Sequence, residues 1–282
     1  MTPALTLPPE ERQALTAAVA QLERPNFIAR LAQYAGTPVD AAIKYLPSSI
    51  SRPIKDVVRS AMFRCLDAAI NSLDDAEEPP PPDWAGKLIT GVTGGVGGFF
   101  GMYALPIELP LTTTLMLRTI AGIARSEGED MAELEPRLAC LEVFALGSGR
   151  PDFAGKSRDQ VSLEYYGVRT LLGSITRDLG RQLMERGAVH ASSPVMARLL
   201  GEIVARFGIT VSDRLGASFV PVIGAVGGAT VNMIFMDHFQ RVARGHFTVR
   251  RLERTYGPAQ IRRYYEAAAD ALAGRPGPAK VQ

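Results

Sequence analysis

Apolar residues recur along this chain mostly at spacings of three, four and seven, the period of helices that bury one face. Near the start, Pro8 and Pro9 precede Glu10 and Glu11, and Leu15, Val19 and Leu22 come next at helical spacing. Proline suits a first helical turn and acids suit the positive end of the helix dipole, so a helix is expected here, ended by Pro25. Thr37-Pro38, with Asp40 behind it, reads as a second helix start. Ser51-Arg52-Pro53 reads as a third. Behind it Ile54, Val57, Val58, Ala61, Met62, Cys65, Leu66, Ala69, Ile70 and Leu73 form one long apolar stripe, with Lys55, Arg59 and Arg64 off it. Such a stripe suits a bundle helix, or a helix lying on a membrane surface. Asp74 to Asp83 (DDAEEPPPPD) then breaks the pattern. This acidic, proline-rich linker, 74–83, separates an N-terminal helical arm, 1–73, from the rest of the chain. The arm is expected to pack on the main body, because its stripe needs a partner.

Two stretches have no such alternation. Leu88 to Ile107 (LITGVTGGVGGFFGMYALPI) and Leu215 to Met236 (LGASFVPVIGAVGGATVNMIFM) run for 20 and 22 residues without a formal charge. Each is long enough to span a bilayer as a helix. GVTGGVGG at 91–98 aligns with PVIGAVGG at 221–228 at a constant shift of 130, as a duplicated unit would. Glycines four apart (Gly94 and Gly98, Gly97 and Gly101, Gly224 and Gly228) leave a groove in which another helix backbone can approach. Each interior glycine costs a helix about 1 kcal/mol against alanine, so the six in the first run call for packing on several sides. Pro106, Pro110 and Pro221 punctuate the runs and favour helical hairpins over straight spans. A nucleotide cradle is excluded: no Lys-Ser/Thr comes after the glycines, the Rossmann spacing fails at Phe100, and no strand pattern precedes. The expected fold is therefore all-α, a multi-helix bundle with two glycine-rich apolar helical hairpins.

Composition narrows the function classes. Hydrophobic residues make up 46% and charged residues 21%, as in ordinary globular proteins. A net charge of +2 sets up no field for nucleic acid. From Arg241 onward, however, nine Lys/Arg face three Asp/Glu. Arg241, Arg244, Arg250, Arg251, Arg254, Arg262 and Arg263 follow the second run. They would meet anionic lipid if that run touched a bilayer, and would otherwise pair with acids such as Glu253 and Glu266. Two distant cysteines, Cys65 and Cys140, make neither a disulfide framework nor a zinc cluster. The N-terminus lacks a basic start and an apolar core, so a cytoplasmic location is expected, peripheral to or partly inserted in the inner membrane.

Catalytic motifs are missing. There is no HExxH and no GxSxG; Gly147-Ser148-Gly149 lacks glycines two residues either side of the serine. His238 and His246, eight apart, would lie about 12 Å apart along one helix face, too far to share a metal directly. Glu108, Asp237 and His238 remain as weak candidates for a polar catalytic site brought together by helix packing. Asn232, inside the second run, needs hydrogen bonds if buried and suits a clamp on a facing backbone. No metal or cofactor is expected. The candidate lipid or ligand contacts are Gly94, Gly97, Gly98, Phe99, Phe100, Gly224, Gly228 and Asn232.

At these residues the chain resembles the EcsC family, from about Leu22 to Tyr265. The segments that carry the resemblance are 26–40, 93–128 and 220–257, the last most specifically through Pro221, Gly224, Gly228, Asn232, His238, Ala243, Phe247, Arg251 and Leu252. Glu108 stands where the family often shows Asp before a proline. The resemblance implies a helical, often membrane-linked protein, a core spanning 84–265 with a C-terminal tail at 266–282, and a transporter as a partner, since the family takes its name from a gene beside an ABC transporter. It supplies no catalytic residues. The expected function is thus a non-enzymatic, membrane-associated helical protein that binds lipid or another apolar ligand. The alternatives are a soluble hydrolase-like enzyme at Glu108, Asp237 and His238, and a homo-oligomeric interaction module.

Overall fold

The computed structural model describes residues 7–23, 27, 48–71, 105–148, 164–186, 193–218 and 228–272. Among them are eight helices and no strand: α1 (Pro9–Glu23), α2 (Ser48–Asn71), α3 (Leu105–Ser126), α4 (Leu134–Leu146), α5 (Glu164–Arg186), α6 (Pro194–Ser218), α7 (Gly228–Tyr256) and α8 (Pro258–Leu272). The all-α fold expected from the periodicity is the fold observed.

Local chemistry accounts for the ends. Gly128, at φ +78°, closes α3: the amide of Glu129 returns to the Ala124 carbonyl and that of Gly128 to Arg125. This double return uses carbonyls that would otherwise lack donors and needs a left-handed residue, for which glycine is cheapest. Gly257, at φ +90°, ends α7 in the same conformation, and Pro258 opens α8.

The third helix start comes earlier than expected. α2 begins at Ser48 and runs through Pro53, which lies in its second turn rather than at its first position. Pro110 likewise sits inside α3 without ending it. A proline removes one backbone donor and crowds the preceding turn. Next to it the hydroxyls of Thr113 and Thr114 bond the carbonyls of Leu109 and Pro110, both at 2.8 Å. The Thr37-Pro38 start and the 74–83 linker lie outside the described residues.

The core is organised around α4. Every residue from Pro136 to Ala145 is buried, so α4 has no polar face and touches α2, α3, α5, α6 and α7. Its short length and all-round burial explain why no periodic pattern announced it. Even Arg137 is buried; its guanidinium donates to the carbonyls of Met131 and Ala132 at 2.5 and 2.9 Å. Beyond α4, α2 and α7 each pack on both α3 and α6, which closes a ring. The N-terminal segment is part of this body: the α2 stripe from Ile54 to Ala69 is buried, while α1 packs on α7 and α8. The last helix runs on through 266 to Leu272, with Ala269 buried.

Candidate functional site

Four helix ends meet at one end of this ring. The hydroxyls of Thr113 and Thr114 on α3 lie beside the Cys65 thiol of α2, whose pKa burial pushes up to about 12. Glu108 of α3 pairs with Arg214 of α6, with side chains only 11% and 8% exposed. The Arg214 guanidinium lies over the Phe235 ring of α7, 5.1 Å from its centroid. Each of these residues falls within about 12 Å of its helix terminus at 1.5 Å per residue. The C-termini of α2 and α6 and the N-termini of α3 and α7 therefore lie at one level. The chain connecting α2 to α3 carries the first glycine-rich run, and the chain connecting α6 to α7 carries the second. The described helix ends on either side of both runs therefore share one end of the body.

The second run is not one span. Residues 215–218 close α6 and 228–236 open α7. Residues 219–227 lie outside the described residues, as does the first run except 105–107. Gly94, Gly97, Gly98, Phe99, Phe100 and Gly224 are thus not described, while Gly228 is the first residue of α7.

Buried polar residues gather at this end. Glu108 and Arg214 form its outer edge. Four residues deeper on their respective helices stand Thr112 and Thr210, 0% and 1% exposed, and neither hydroxyl has a hydrogen-bond partner among the described residues. Asn232 of α7 is fully buried at the same end. An aromatic layer forms the floor: Phe207 lies 6.1 Å from Phe235, 5.5 Å from Phe239 and 5.0 Å from Phe144 of α4. Phe27 completes the layer, 5.5 Å from Phe235. Leu111, one turn past the first run, and Met233, inside the second, are among the few large apolar side chains left exposed among the described residues.

Each member of the expected catalytic trio has a partner of its own. Glu108 is held by Arg214. Asp237 accepts from Arg241 at 2.9 Å, one turn along the same helix. His238 points elsewhere: its Nε2 is 2.6 Å from the Gly147 carbonyl, which can only accept, so Nε2 carries the proton.

The basic set also departs from expectation. Arg250 binds Glu129 and Glu135, Arg251 binds Glu11 and Glu127, and Arg254 binds Glu129. Arg244 is half-buried. Arg250 to Arg254 lie on α7 roughly 20 Å or more along the axis beyond Met236, the last residue of the second run, at 1.5 Å per residue. They therefore tie α7 to α1 and the α3–α4 corner instead of forming a cationic collar beside the runs. Of the acids expected to pair with this set, Glu266 binds a member of it, Arg262 at 2.9 Å, whereas Glu253 binds Arg169 at 2.6 Å. The sequence showed Arg250, Arg251 and Arg254 but not the carboxylates opposite, which are more than a hundred residues away.

A second polar cluster lies deep between α5, α7 and α8. Tyr165 Oη is 3.0 Å from His246 Nδ1, Tyr166 donates to Glu253 at 3.0 Å, and Tyr265 donates to Glu23 at 2.6 Å. Burial, then Arg169 and Arg250, hold the His246 imidazole neutral, well below its ordinary range. Nearby on α4, burial lifts the Glu142 carboxyl to about 7, against the pull of Arg250 and Arg169 and a hydrogen bond from Thr176. His246 is 0% exposed, which leaves a substrate no path to it, so this cluster knits helices together.

No described helix is long and apolar enough to cross a membrane. The chain is similar to the uncharacterized protein YdbA of Bacillus subtilis (strain 168), 25% identical over 217 residues, 73% of this chain and 70% of that one. No solved structure matches it. The EcsC protein family model matches residues 81–252, from the first glycine-rich run through the arginine-bearing part of α7. With more than half its length so matched, and with both runs rooted at one end of the matched helices, this chain belongs to the EcsC protein family.

Proposed function

We propose that this protein is a non-enzymatic helical protein that associates peripherally with the cytoplasmic face of a membrane and binds lipid or another apolar ligand where its glycine-rich runs join the bundle. One observation carries this reading: two low-charge stretches, distant in sequence, enter and leave the body at the same end. Apolar surface concentrated at one place, rather than scattered, marks an interaction site. Leu111 and Met233, exposed beside the helix termini, extend that surface. A transporter as partner accords with the family's genetic setting. The alternative, an enzyme at Glu108, Asp237 and His238, would have to draw on side chains that already hold Arg214, Arg241 and the Gly147 carbonyl.

The arginines on α7 are neutralised by carboxylates, so attachment would rest on apolar contact more than on charge. Flotation of the purified chain with neutral and with anionic vesicles tests this. Binding to both, with little loss as salt rises, is expected. The double substitution Leu111→Asp and Met233→Asp should weaken it roughly tenfold, since each charge opposes transfer into an apolar phase by a few kcal/mol. No flotation with either vesicle, or unchanged flotation of the double variant, would sink the reading.

A further inference from the structure

We infer that α1 is a releasable strap: it lifts from α7 and α8 as a unit while the bundle around α4 stays folded, and in doing so uncovers Tyr265 and the flank of α7 at Gly245. That flank lies roughly 25 Å along α7 from Gly228, at 1.5 Å per residue, so the strap is independent of the membrane contact proposed above.

Among the described residues the apolar core falls into two clusters. The larger surrounds α4. The smaller joins Leu15, Ala18 and Val19 of α1 to Leu252 of α7 and to Ile261 and Tyr265 of α8. A satellite cluster of this kind can open by itself, because its contacts can be lost without disturbing the main core. Within it α1 has the least to lose. It buries Leu15, Ala18 and Val19, whereas α4 buries every residue from Pro136 to Ala145. Opening grows harder with the apolar area it exposes, so α1 is released more readily than α4. Four residues past the end of α1, Phe27 sits in the main core, 5.5 Å from Phe235. That anchor marks where the strap ends.

The contacts of α1 suit release. An added Cβ at Gly245 would lie 3.1 Å from the Ala18 carbonyl oxygen, so α7 puts no side chain between the two helices there. Two polar ties fasten α1, one near each end. Arg251 donates to both oxygens of Glu11, at 2.9 and 3.0 Å, and Tyr265 donates to Glu23 at 2.6 Å. Neither tie leaves a bare buried charge when it parts. Arg251 also donates to Glu127 at 2.8 Å and keeps that partner. Arg251 and Glu11 are 33% and 25% exposed, so water already screens their pair. Glu23 gains by hydration: burial raises its carboxyl, against the hydrogen bonds from Tyr265 and the Tyr165 amide, and release removes that burial. The Tyr265 hydroxyl, uncovered in the same step, turns to water.

Hydrogen exchange of the full chain in low, sub-denaturing urea tests the strap. The amides of α1 should exchange together, at least about tenfold faster than those of α4, and with a weaker urea dependence than global unfolding shows. A competition experiment reads the same opening. A labelled peptide of residues 7–23 is titrated into the parent chain and into the double variant Leu15→Asp with Val19→Asp, whose own α1 is detached. The peptide should bind the double variant at least about tenfold more tightly than the parent, because the parent offers the surface only in its open fraction. The double variant should keep α4 protected from exchange, and a peptide that itself carries Leu15→Asp should bind neither chain. Exchange of α1 in step with α4, loss of α4 protection in the double variant, failure of the peptide to bind that variant, or equal binding by the altered peptide would each overturn the strap.

Discussion

Glu142 shows how a single residue senses its surroundings. It is one of two charged-type side chains on α4 buried from all sides, and its carboxyl titrates near 7 chiefly because burial disfavours the anion. The unfolded chain gives up this proton near 4.5. Between those values the folded state holds a proton that the unfolded state has lost. The associated stability is therefore complete below about pH 4.5 and is lost as pH rises through 7, by about 3 kcal/mol at most. Glu142→Gln keeps the shape and removes the titration. Urea unfolding should find it close to the parent at about pH 5 and more stable at about pH 8. A stability difference that does not change between the two would contradict this account. His246 works in the opposite sense: its depressed imidazole contributes stability that is present above about 6.5 and lost as the pH falls below it.

At the scale of helices, close approach is the theme, though not where the runs alone suggested it. Gly245, in the middle of α7, faces α1: a Cβ there would lie 2.9 Å from Leu22 Cγ and 3.1 Å from the Ala18 carbonyl oxygen. The second contact is backbone, so only a shift of α1 could relieve it. Gly245→Ala should cost about 1–3 kcal/mol despite alanine's better helix propensity. Amide exchange in α1 should quicken more than in α4. Gly201, on α6, has nothing within 4 Å of the equivalent position. There the same substitution should stabilise by roughly 0.5–1 kcal/mol, the propensity gain alone. If both variants respond alike, glycine content and not packing governs the helices.

Across the whole molecule, the charges divide the bundle into two unlike ends. At one, the low-charge runs enter beside the buried Glu108–Arg214 pair. At the other, Arg250, Arg251 and Arg254 bind Glu11, Glu127, Glu129 and Glu135, joining α1, α7 and the corner between α3 and α4. Burial raises the Glu129 carboxyl, yet Arg250 and Arg254 outweigh it and hold it below the ordinary carboxylate range. With Glu129 only 3% exposed, loss of Arg250 leaves a buried carboxylate short of a partner. Arg250→Met should destabilise by roughly 3–5 kcal/mol, and adding Glu129→Met should restore most of it, because removing both charges also removes their desolvation. Thermal melts of the two variants would check this. A double variant no better than the single one would show that the pair holds the corner by more than charge.

Helix content and the α1 and α2 segments were legible in the sequence, because a 3.6-residue repeat of apolar side chains is a local property that the window carrying it displays. The stripe from Ile54 to Ala69 needed a partner, and it has one. Two features were not legible. α4 carries no period, since a helix buried on every side has no polar face to mark its phase. The pairing of charges was hidden because the partners of Arg250, Arg251 and Arg214 lie more than a hundred residues away, and only packing brings them within hydrogen-bond reach. For the same reason Thr112 and Thr210 passed unnoticed: an unsatisfied hydroxyl is a property of what surrounds it. Sequence alone determined which segments coil and which faces must be hidden, through side-chain chemistry and spacing. Tertiary structure decided which charges neutralise one another, which polar groups are left waiting, and that the helix ends flanking two distant glycine-rich runs lie together, because each of these depends on the distance between residues remote along the chain.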